Sequence, residues 1–171
     1  GYYSSTVDNS IPKLVMSKGG LSGSGILTVL DQTRITADPG TNALVANGKE
    51  LRIQGTSNVI LREVRVTNSG TITFSGGSVT TIGNATQLGR ITHQTGGVNS
   101  IVIEAGATIN NNNAGFSQLR AKISSAGNLN GKFILGGSGV GTHNLTGGTL
   151  TGQFVFSGTS TGPTDIFDLS N

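Results

Sequence analysis

Eight acidic side chains and two histidines are the residues of this chain whose types could support acid–base or metal chemistry. Hydrolysis of a glycosidic bond needs two carboxyl groups about 5 to 9.5 Å apart. Glu50 and Glu63 are the pair that stacked strands could bring together, beside Arg52, Arg62 and Arg65. The same pattern is typical of a solvated strand face with ion pairs between strands. We favour this second interpretation, and the sequence predicts no catalytic residue and no enzyme activity.

Calcium and transition-metal sites find little support in the sequence. A lyase would need a base beside several clustered carboxylates that hold calcium, and no such cluster of aspartates occurs. His93 and His143 each follow a threonine and precede a Gly-Gly pair, so we expect them at equivalent places on the fold, on its polar surface or in turns. The His-x-His spacing of a metal ring is absent, and so is cysteine. We predict neither a metal nor a cofactor.

The composition favours an ordered β protein. Only 11% of the residues are charged, whereas about 25% are charged in an ordinary soluble domain. Disordered chains combine low hydrophobicity with high net charge, but here 34% of the residues are apolar and the net charge is +3. Glycine is abundant, with 28 residues. A chain of this kind has little classical core, so its backbone hydrogen bonds must contribute much of its order.

Two classes of partner are not expected. A nucleic-acid-binding protein clusters its basic residues on one face, but the eleven here are spread from Lys13 to Lys132. A membrane-spanning helix needs about 18 or more apolar residues in a row, and no such run occurs. We therefore predict no nucleic-acid binding and no membrane insertion. Because the chain opens on Gly1 without methionine, we expect it to be a fragment or a processed piece of a longer protein.

Short strand candidates recur along the chain with turn residues between them, at intervals too short for helices. Each is rich in Val, Ile, Thr or Phe and is bounded by Gly, Asn or Ser. They are Ile26–Leu30, Arg34–Thr36, Ala43–Val45, Leu51–Ile53, Val59–Val66, Thr71–Phe74, Val79–Ile82, Arg90–His93, Ile101–Glu104, Gln118–Ile123, Phe133–Leu135 and Phe154–Phe156.

Two architectures accommodate so many short strands. An antiparallel sandwich would use hairpin turns such as Asn47-Gly48 and Asn130-Gly131. A parallel solenoid needs a repeating turn of chain. The block from Thr92 to Gly97 resembles the block from Thr142 to Gly148, at a separation of about two turns of 20 to 25 residues. The run Asn110–Asn113 fits a turn in such a stack, although a plain polar loop is the favoured interpretation of it. We predict the solenoid, with the sandwich as the alternative.

The segment from Leu51 to Asn68 carries a family resemblance. It contains a short strand, a turn, Ser-Asn, and then an aliphatic strand that alternates with Arg and Glu and closes on Thr-Asn. This pattern resembles one turn of the right-handed parallel β-helix of the pectate-lyase type, a fold that bacteriophage tailspikes and large bacterial surface adhesins also use. The catalytic Arg, Lys and clustered Asp of the enzymes have no matching positions here. The resemblance therefore implies a fold and carries over no site residue.

The expected organisation is a single all-β domain over residues 1–171. Residues 1–20 are expected to form an N-terminal arm or linker, residues 21–158 the right-handed parallel β-helix, and residues 159–171 a C-terminal capping tail. An open solenoid end exposes apolar side chains and unpaired backbone, so it needs a cap, a partner chain or a neighbouring domain.

The resemblance also implies a function. It is a structural or receptor-binding domain of a bacteriophage tail fibre or tailspike, built as a homotrimer, joined to other virion or fibre domains and contacting the bacterial surface. The expected location is the virion tail or a cell surface. One alternative is a segment of a bacterial surface adhesin, and another is a polysaccharide-degrading β-helix enzyme. Polar grooves for a surface glycan are expected at Gln87, Gln94, Asn99, Phe116 and Gln118.

Overall fold

The computed structural model describes residues 2–37, 43–93, 100–136, 142–156 and 166–168. Every regular element in these ranges is a β-strand, and no helix long and apolar enough to cross a membrane is found among them. The strands are β1 Tyr2–Ser4, β2 Asn9–Met16, β3 Gly19–Ser22, β4 Ile26–Thr36, β5 Ala43–Val45, β6 Glu50–Ile53, β7 Asn58–Val66, β8 Thr71–Phe74, β9 Val79–Ile82, β10 Gly89–His93, β11 Ser100–Ile103, β12 Thr108–Asn110, β13 Ser117–Arg120, β14 Lys122–Ser125, β15 Asn128–Leu135, β16 Thr142–Leu145, β17 Leu150–Phe156 and β18 Ile166–Asp168.

All strand pairings in the described part of the chain are parallel, and each strand pairs with strands one turn earlier or later. The fold is therefore a parallel β-solenoid. The predicted all-β solenoid is confirmed, and the antiparallel sandwich is wrong.

The solenoid has three faces, which the chain visits in the same order in every turn. Face A contains β1, β3, β5, the second half of β7, β10, β13 and the second halves of β15 and β17. Face B contains the first halves of β2 and β4, then β6, β8, β11, β14, β16 and β18. Face C contains the second halves of β2 and β4, the first half of β7, β9, β12 and the first halves of β15 and β17.

The core consists of aliphatic columns inside the three faces. On face B, one column runs in register through Leu27, Leu51, Ile72, Ile101 and Ile123, all of them buried. Each buried aliphatic side chain of this size contributes about 1.5 to 3 kcal/mol by leaving water. The sequence spacing between members of the column varies because the turns between faces differ in length. This variation explains why the sequence repeat is weak although the stack is regular.

One buried asparagine connects three successive turns of face C. Asn58 is 2% exposed, and its Oδ1 accepts a hydrogen bond of 2.8 Å from the backbone N–H of Thr33. Its Nδ2 donates to the carbonyl oxygens of Gln54 at 2.8 Å, Gly55 at 2.9 Å and Val79 at 3.1 Å. A buried amide is stable only when it is bonded in this way. Asn58 therefore bonds the loop before β7 and also the neighbouring strands β4 and β9.

Asparagines also stack outside the core, on face C and at its edge. Asn130 Nδ2 donates to Asn110 Oδ1 at 3.0 Å across two adjacent turns. Asn111 is 9% exposed, and its Nδ2 donates to the carbonyl oxygens of Gly115 at 2.8 Å and Lys132 at 2.7 Å. From residue 111 onward the run is a loop, as the favoured interpretation predicts, but its asparagines also bond neighbouring turns of the stack. Asn110 continues the β12 ladder and Asn111 anchors the following loop to the next turn.

The two Asn-Gly pairs do not form hairpins. Asn47 and Gly48 have positive φ angles of 55° and 76°, but the Gly48 N–H donates to the carbonyl of Asn68 in the next turn. Asn130 and Gly131 lie inside β15, where the strand passes from face C to face A. Left-handed residues of this kind often form hairpin turns in other proteins. In this solenoid they redirect the chain from one face to the next.

The N-terminal segment belongs to the solenoid. Within residues 1–20, where the sequence predicts an arm or linker, the structure has β1 and β2, which pair with β3 and β4. Lys49 is fully buried; its Nζ donates to the Ser5 carbonyl at 3.2 Å and lies 5.4 Å from the centre of the Tyr3 ring. This side chain thus ties the third turn to the first. Of the predicted C-terminal tail, only residues 166–168 are described, and they pair with β16.

Candidate functional site: a polar cleft at one corner of the solenoid

The corner between faces C and A changes shape from turn to turn. At Arg62, Gly131 and Gly152 the chain crosses from one face to the next through a single residue with positive φ. Between these tight crossings, residues 83–88 and 111–116 form loops that project from the corner. A tight crossing beside a projecting loop creates a recess in the outer surface. We call the recess at Arg62 the corner cleft.

Arg62 adopts a backbone conformation that costs free energy. Its φ is 62°, whereas the corresponding crossings use glycine at Gly131 and Gly152, with φ of 116° and 127°. A left-handed conformation costs a residue with a Cβ about 1 to 2 kcal/mol, and glycine avoids this cost. Arginine at such a position indicates that its side chain is useful there.

The corner cleft has a volume of about 330 Å³ and a polar lining. That volume lies at the small end of the range of ligand pockets. Its walls come from the end of β4, the crossing between the halves of β7, and the loop after β9. The lining residues are Arg34, Thr36, Leu61, Arg62, Asn84, Thr86 and Gln87. None of these seven residues is acidic, so the described lining presents two guanidinium groups with no carboxylate among them.

The loop that forms one wall of the cleft is held by its own hydrogen bonds. Asn84 Oδ1 accepts from the backbone N–H groups of Thr86 at 2.9 Å and Gln87 at 2.8 Å, and from Thr86 Oγ1 at 3.1 Å. The Asn84 carbonyl accepts a further bond from Asn113 Nδ2 in the loop of the next turn. The wall is therefore ordered before any ligand arrives, which lowers the entropy cost of binding.

The five glycan-binding residues predicted from the sequence do not form one groove. Gln87 lines the corner cleft, and Phe116 lies in the corner loop of the next turn. Gln118 lies on face A, in register with Arg90. Gln94 and Asn99 fall outside the described residues. The structure thus brings Gln87 and Phe116 to the same corner and separates Gln118 from them.

Sequence reasoning missed Arg34 and Arg62 as members of this site. They lie in different turns, and only the stacking of face C brings the end of β4 beside the first half of β7. Arg62 also sits within the aliphatic run of β7, where alternation predicts an ordinary strand position. The glycines at the equivalent crossings are a signal that becomes readable only once the register is known.

Parallel stacking also gathers basic residues that are dispersed in the sequence. Arg65, Arg90 and Arg120 all lie on face A, which Arg62 enters from the corner cleft. Glu63 is the acidic residue among the described strands of this face. Excess positive charge on one face raises the local concentration of anions and accelerates their association. Basic residues that are far apart in the sequence therefore lie together on face A, which their positions along the chain did not predict.

The two candidate catalytic carboxylates are separated by the fold. Glu50 lies on face B, where it contacts Arg52 at 2.9 Å, and the other side of that guanidinium contacts Glu104 at 2.8 Å. Glu63 lies on face A, 3.2 Å from Arg65 Nε. Stacking therefore does not pair Glu50 with Glu63. The expected ion pairs are present, but Glu50–Arg52 and Glu63–Arg65 join residues two apart on one strand, and among these contacts only Arg52–Glu104 joins different turns.

Glu63 has an altered acidity. Burial by itself raises the pKa of its carboxyl, but the hydrogen bond from Thr92 and the contact with Arg65, together with the positive charges of Arg65 and Arg90, outweigh this effect. The net result is a pKa below the ordinary value of a glutamate. A carboxyl whose pKa is lowered by folding stabilises the fold above its unfolded pKa. That contribution is lost as the pH falls through the folded pKa.

Replacing Thr92 by valine is expected to raise the pKa of Glu63. The substitution removes the 2.7 Å hydrogen bond that Thr92 Oγ1 donates to Glu63 Oε1, which favours the ionised form. Carbon-detected NMR titration of the Glu63 carboxyl measures the change. The stability that Glu63 contributes should be smaller in the variant, and its loss on acidification should be complete at a higher pH than in the wild type. Thr28→Val, on face B, is the control and should leave this titration unchanged. An identical Glu63 midpoint in wild type and Thr92→Val would contradict the assignment.

The two histidines occupy different environments. His93 ends β10 on face A, and burial lowers its pKa. His143 lies in β16 on face B, is fully buried, and accepts a 3.1 Å hydrogen bond at Nδ1 from the Ile123 N–H. The predicted equivalence is wrong, and so is a surface position for His143. The similar local sequences fall on different faces because the intervening turns differ in length.

Within the described ranges, no group of three or more His, Asp or Glu side chains is placed to hold a metal ion. Comparisons of the chain with protein-family models, curated proteins and solved structures find no match. The solenoid and the corner cleft are therefore the features from which a function can be inferred.

Proposed function

We propose that this chain is a structural and receptor-binding domain of a bacteriophage tail fibre or tailspike, without enzyme activity, that contacts the bacterial surface. The observation that carries the proposal is the parallel solenoid itself, whose outside presents polar rows and an ordered cleft. A solenoid places binding residues on a rigid frame because each turn is bonded to its neighbours. One fold can serve many functions, so the proposal also uses the surroundings of the acidic residues and the positions of the exposed apolar side chains.

The surroundings of the acids support binding over catalysis. Glu50 and Glu104 share Arg52, and Glu63 pairs with Arg65. Despite the opposing effect of burial, Thr92, Arg65 and Arg90 together hold the pKa of Glu63 below its ordinary value, whereas a general acid in glycoside hydrolysis must carry a proton.

The distribution of exposed apolar side chains supports a place within a longer assembly. In the described part of the chain, the exposed large apolar residues lie in the first two turns and the last two. They are Tyr2, Tyr3, Val7, Val15, Leu30, Leu150, Val155 and Phe156. Exposed apolar groups at the ends of a solenoid favour contact with a cap or a neighbouring domain. We propose that other fibre domains cover these ends in a homotrimeric appendage on the virion.

Attachment to bacterial cells tests the proposal. Fluorescently labelled protein is incubated with strains that carry or lack capsule and lipopolysaccharide O-chains, and bound protein is counted by flow cytometry. We expect binding to glycan-bearing strains, no release of reducing sugar, and a trimer by light scattering. Failure to bind any strain would overturn the receptor-binding role. Release of reducing sugar would favour an enzyme, and a clean monomer would remove the homotrimer.

A further inference from the structure

The geometry points to the corner cleft as a binding site for the anionic group of an acidic saccharide. Arg34 and Arg62 hold the carboxylate, and the polar side chains of the 84–87 loop bond the neighbouring hydroxyl groups. That the anion is carried on a saccharide rests on the proposed function. That the cleft takes an anion rests on its own composition.

The charge of the described lining selects for anions. Two guanidinium groups line a recess of about 330 Å³, and the other described lining residues are neutral. A guanidinium presents a planar fork of N–H donors that matches a carboxylate or phosphate with two parallel hydrogen bonds. A neutral sugar would make only ordinary hydrogen bonds with these groups. A carboxylate-bearing sugar would gain charge-assisted hydrogen bonds.

The backbone at Arg62 indicates that the guanidinium is retained for binding. The equivalent crossings at Gly131 and Gly152 use the residue that suits a positive φ, while Arg62 adopts its φ of 62° at a cost. An arginine placed for solubility alone would be served as well by any neighbouring strand position without this cost. Arg62 is half-buried and lines the cleft at the point where the chain leaves face C for face A.

The wall opposite is suited to hydroxyl groups. The backbone N–H groups of Thr86 and Gln87 are already bonded to Asn84 Oδ1, so the loop is fixed and its side chains line the cleft. Thr86 is exposed, and Gln87 is half-buried. Hydroxyl and amide groups on an ordered loop can both donate to and accept from sugar hydroxyls.

The surroundings of the cleft favour a polymer over an enclosed small ligand. The recess opens to solvent, and face A continues from it with Arg65, Arg90 and Arg120. An acidic chain bound at the cleft can extend along this face, where the same charges attract its next units. Such binding weakens as salt concentration rises.

Titration with a matched pair of sugars tests the inference. Isothermal calorimetry compares tetragalacturonate with its fully methyl-esterified form, which has the same sugar units without the charges. Inorganic phosphate is a third probe that separates a saccharide site from a simple anion site. Wild-type protein is expected to bind tetragalacturonate at low salt, at least about tenfold more tightly than the ester, because charge-assisted hydrogen bonds are lost in the ester.

Arg62→Gly is the decisive variant because binding and stability should change in opposite directions. It removes a guanidinium but places glycine at a positive φ, so affinity should fall by at least about tenfold while the thermal midpoint stays equal or rises. Arg34→Gln should weaken binding without affecting that midpoint. Lys122→Gln, which removes one positive charge from face B, is the charge-matched control and should alter affinity by less than about twofold.

The outcomes separate this inference from the proposed function. Equal binding of the ester, unchanged affinity in Arg62→Gly, or no binding of tetragalacturonate would overturn the inference. Binding of phosphate without tetragalacturonate would overturn the saccharide part of it. Wild-type protein that attaches to cells but does not bind tetragalacturonate would contradict the cleft assignment alone. Binding of tetragalacturonate without attachment to any cell would instead contradict the receptor-binding role.

Discussion

Replacing Asn58 by alanine is expected to lower the free energy of unfolding by about 3 to 4 kcal/mol. The side chain is buried and bonded to backbone groups of the preceding, the same and the following turn. Alanine removes the acceptor of the Thr33 N–H and the donor to the Gln54 carbonyl, and it leaves a void where the amide was. Urea denaturation followed by far-UV circular dichroism measures the change. Hydrogen exchange should also show reduced protection of the Thr33 amide.

Asn130→Ala is the matched control for Asn58→Ala. Asn130 also bonds a neighbouring turn of the solenoid, through the hydrogen bond from its Nδ2 to Asn110 Oδ1. This bond lies on the outside of the solenoid, where water can replace it. We expect a loss of no more than about 1 kcal/mol. Equal losses in the two variants would show that the buried position of Asn58 adds nothing to its role.

Replacing Gly55 by alanine is expected to cost about 3 to 5 kcal/mol, or to prevent folding. Gly55 has a φ of +73°, and a Cβ added to it would lie 2.1 Å from the carbonyl oxygen of Asp31 in the previous turn. The backbone of Gly55 and that of Asp31 are both held within the stack. Neither segment can move aside without disturbing the neighbouring turns. Urea denaturation of the purified variant gives the loss, and the yield of soluble protein reports failure to fold.

Gly77→Ala separates the two causes of that loss. Gly77 lies between β8 and β9, where Gly55 lies between β6 and β7, and its φ of +79° is nearly the same. A Cβ at Gly77 meets nothing within 4 Å. The control should therefore cost only the left-handed conformation, about 1 to 2 kcal/mol. If Gly55→Ala cost no more than Gly77→Ala, close approach of neighbouring turns would not be the reason for glycine at Gly55.

Most of the strands could be predicted from local sequence because strand and turn residues are local signals. Val79–Ile82 and Thr71–Phe74 were predicted with the bounds that the structure has. The strands β1 and β2 were not, because they are mostly exposed and gain their order by pairing with β3 and β4. The split at Ala121 between β13 and β14 was also missed, because a one-residue corner carries no turn signature.

The candidate site was less predictable than the fold. The sequence predicts Gln87 in a polar groove, and Gln87 does line the corner cleft. Arg34 and Arg62 belong to the same cleft through the pairing of β4 with β7, which no local pattern encodes. The pairing of Glu63 with Arg65 was within reach of the sequence, since residues two apart on a strand point to the same side.

The sequence by itself determined that this protein is built of short strands, that its turns depend on glycine and asparagine, and that Glu63 and Arg65 can pair on one strand. These properties follow from the residue types and their nearest neighbours. The tertiary structure decided which turns lie against each other, and with it the separation of Glu50 from Glu63, the burial of His143 and the meeting of Arg34 with Arg62. The physical reason is that turns of unequal length can be stacked in several registers, and only the packing of the whole core selects one of them.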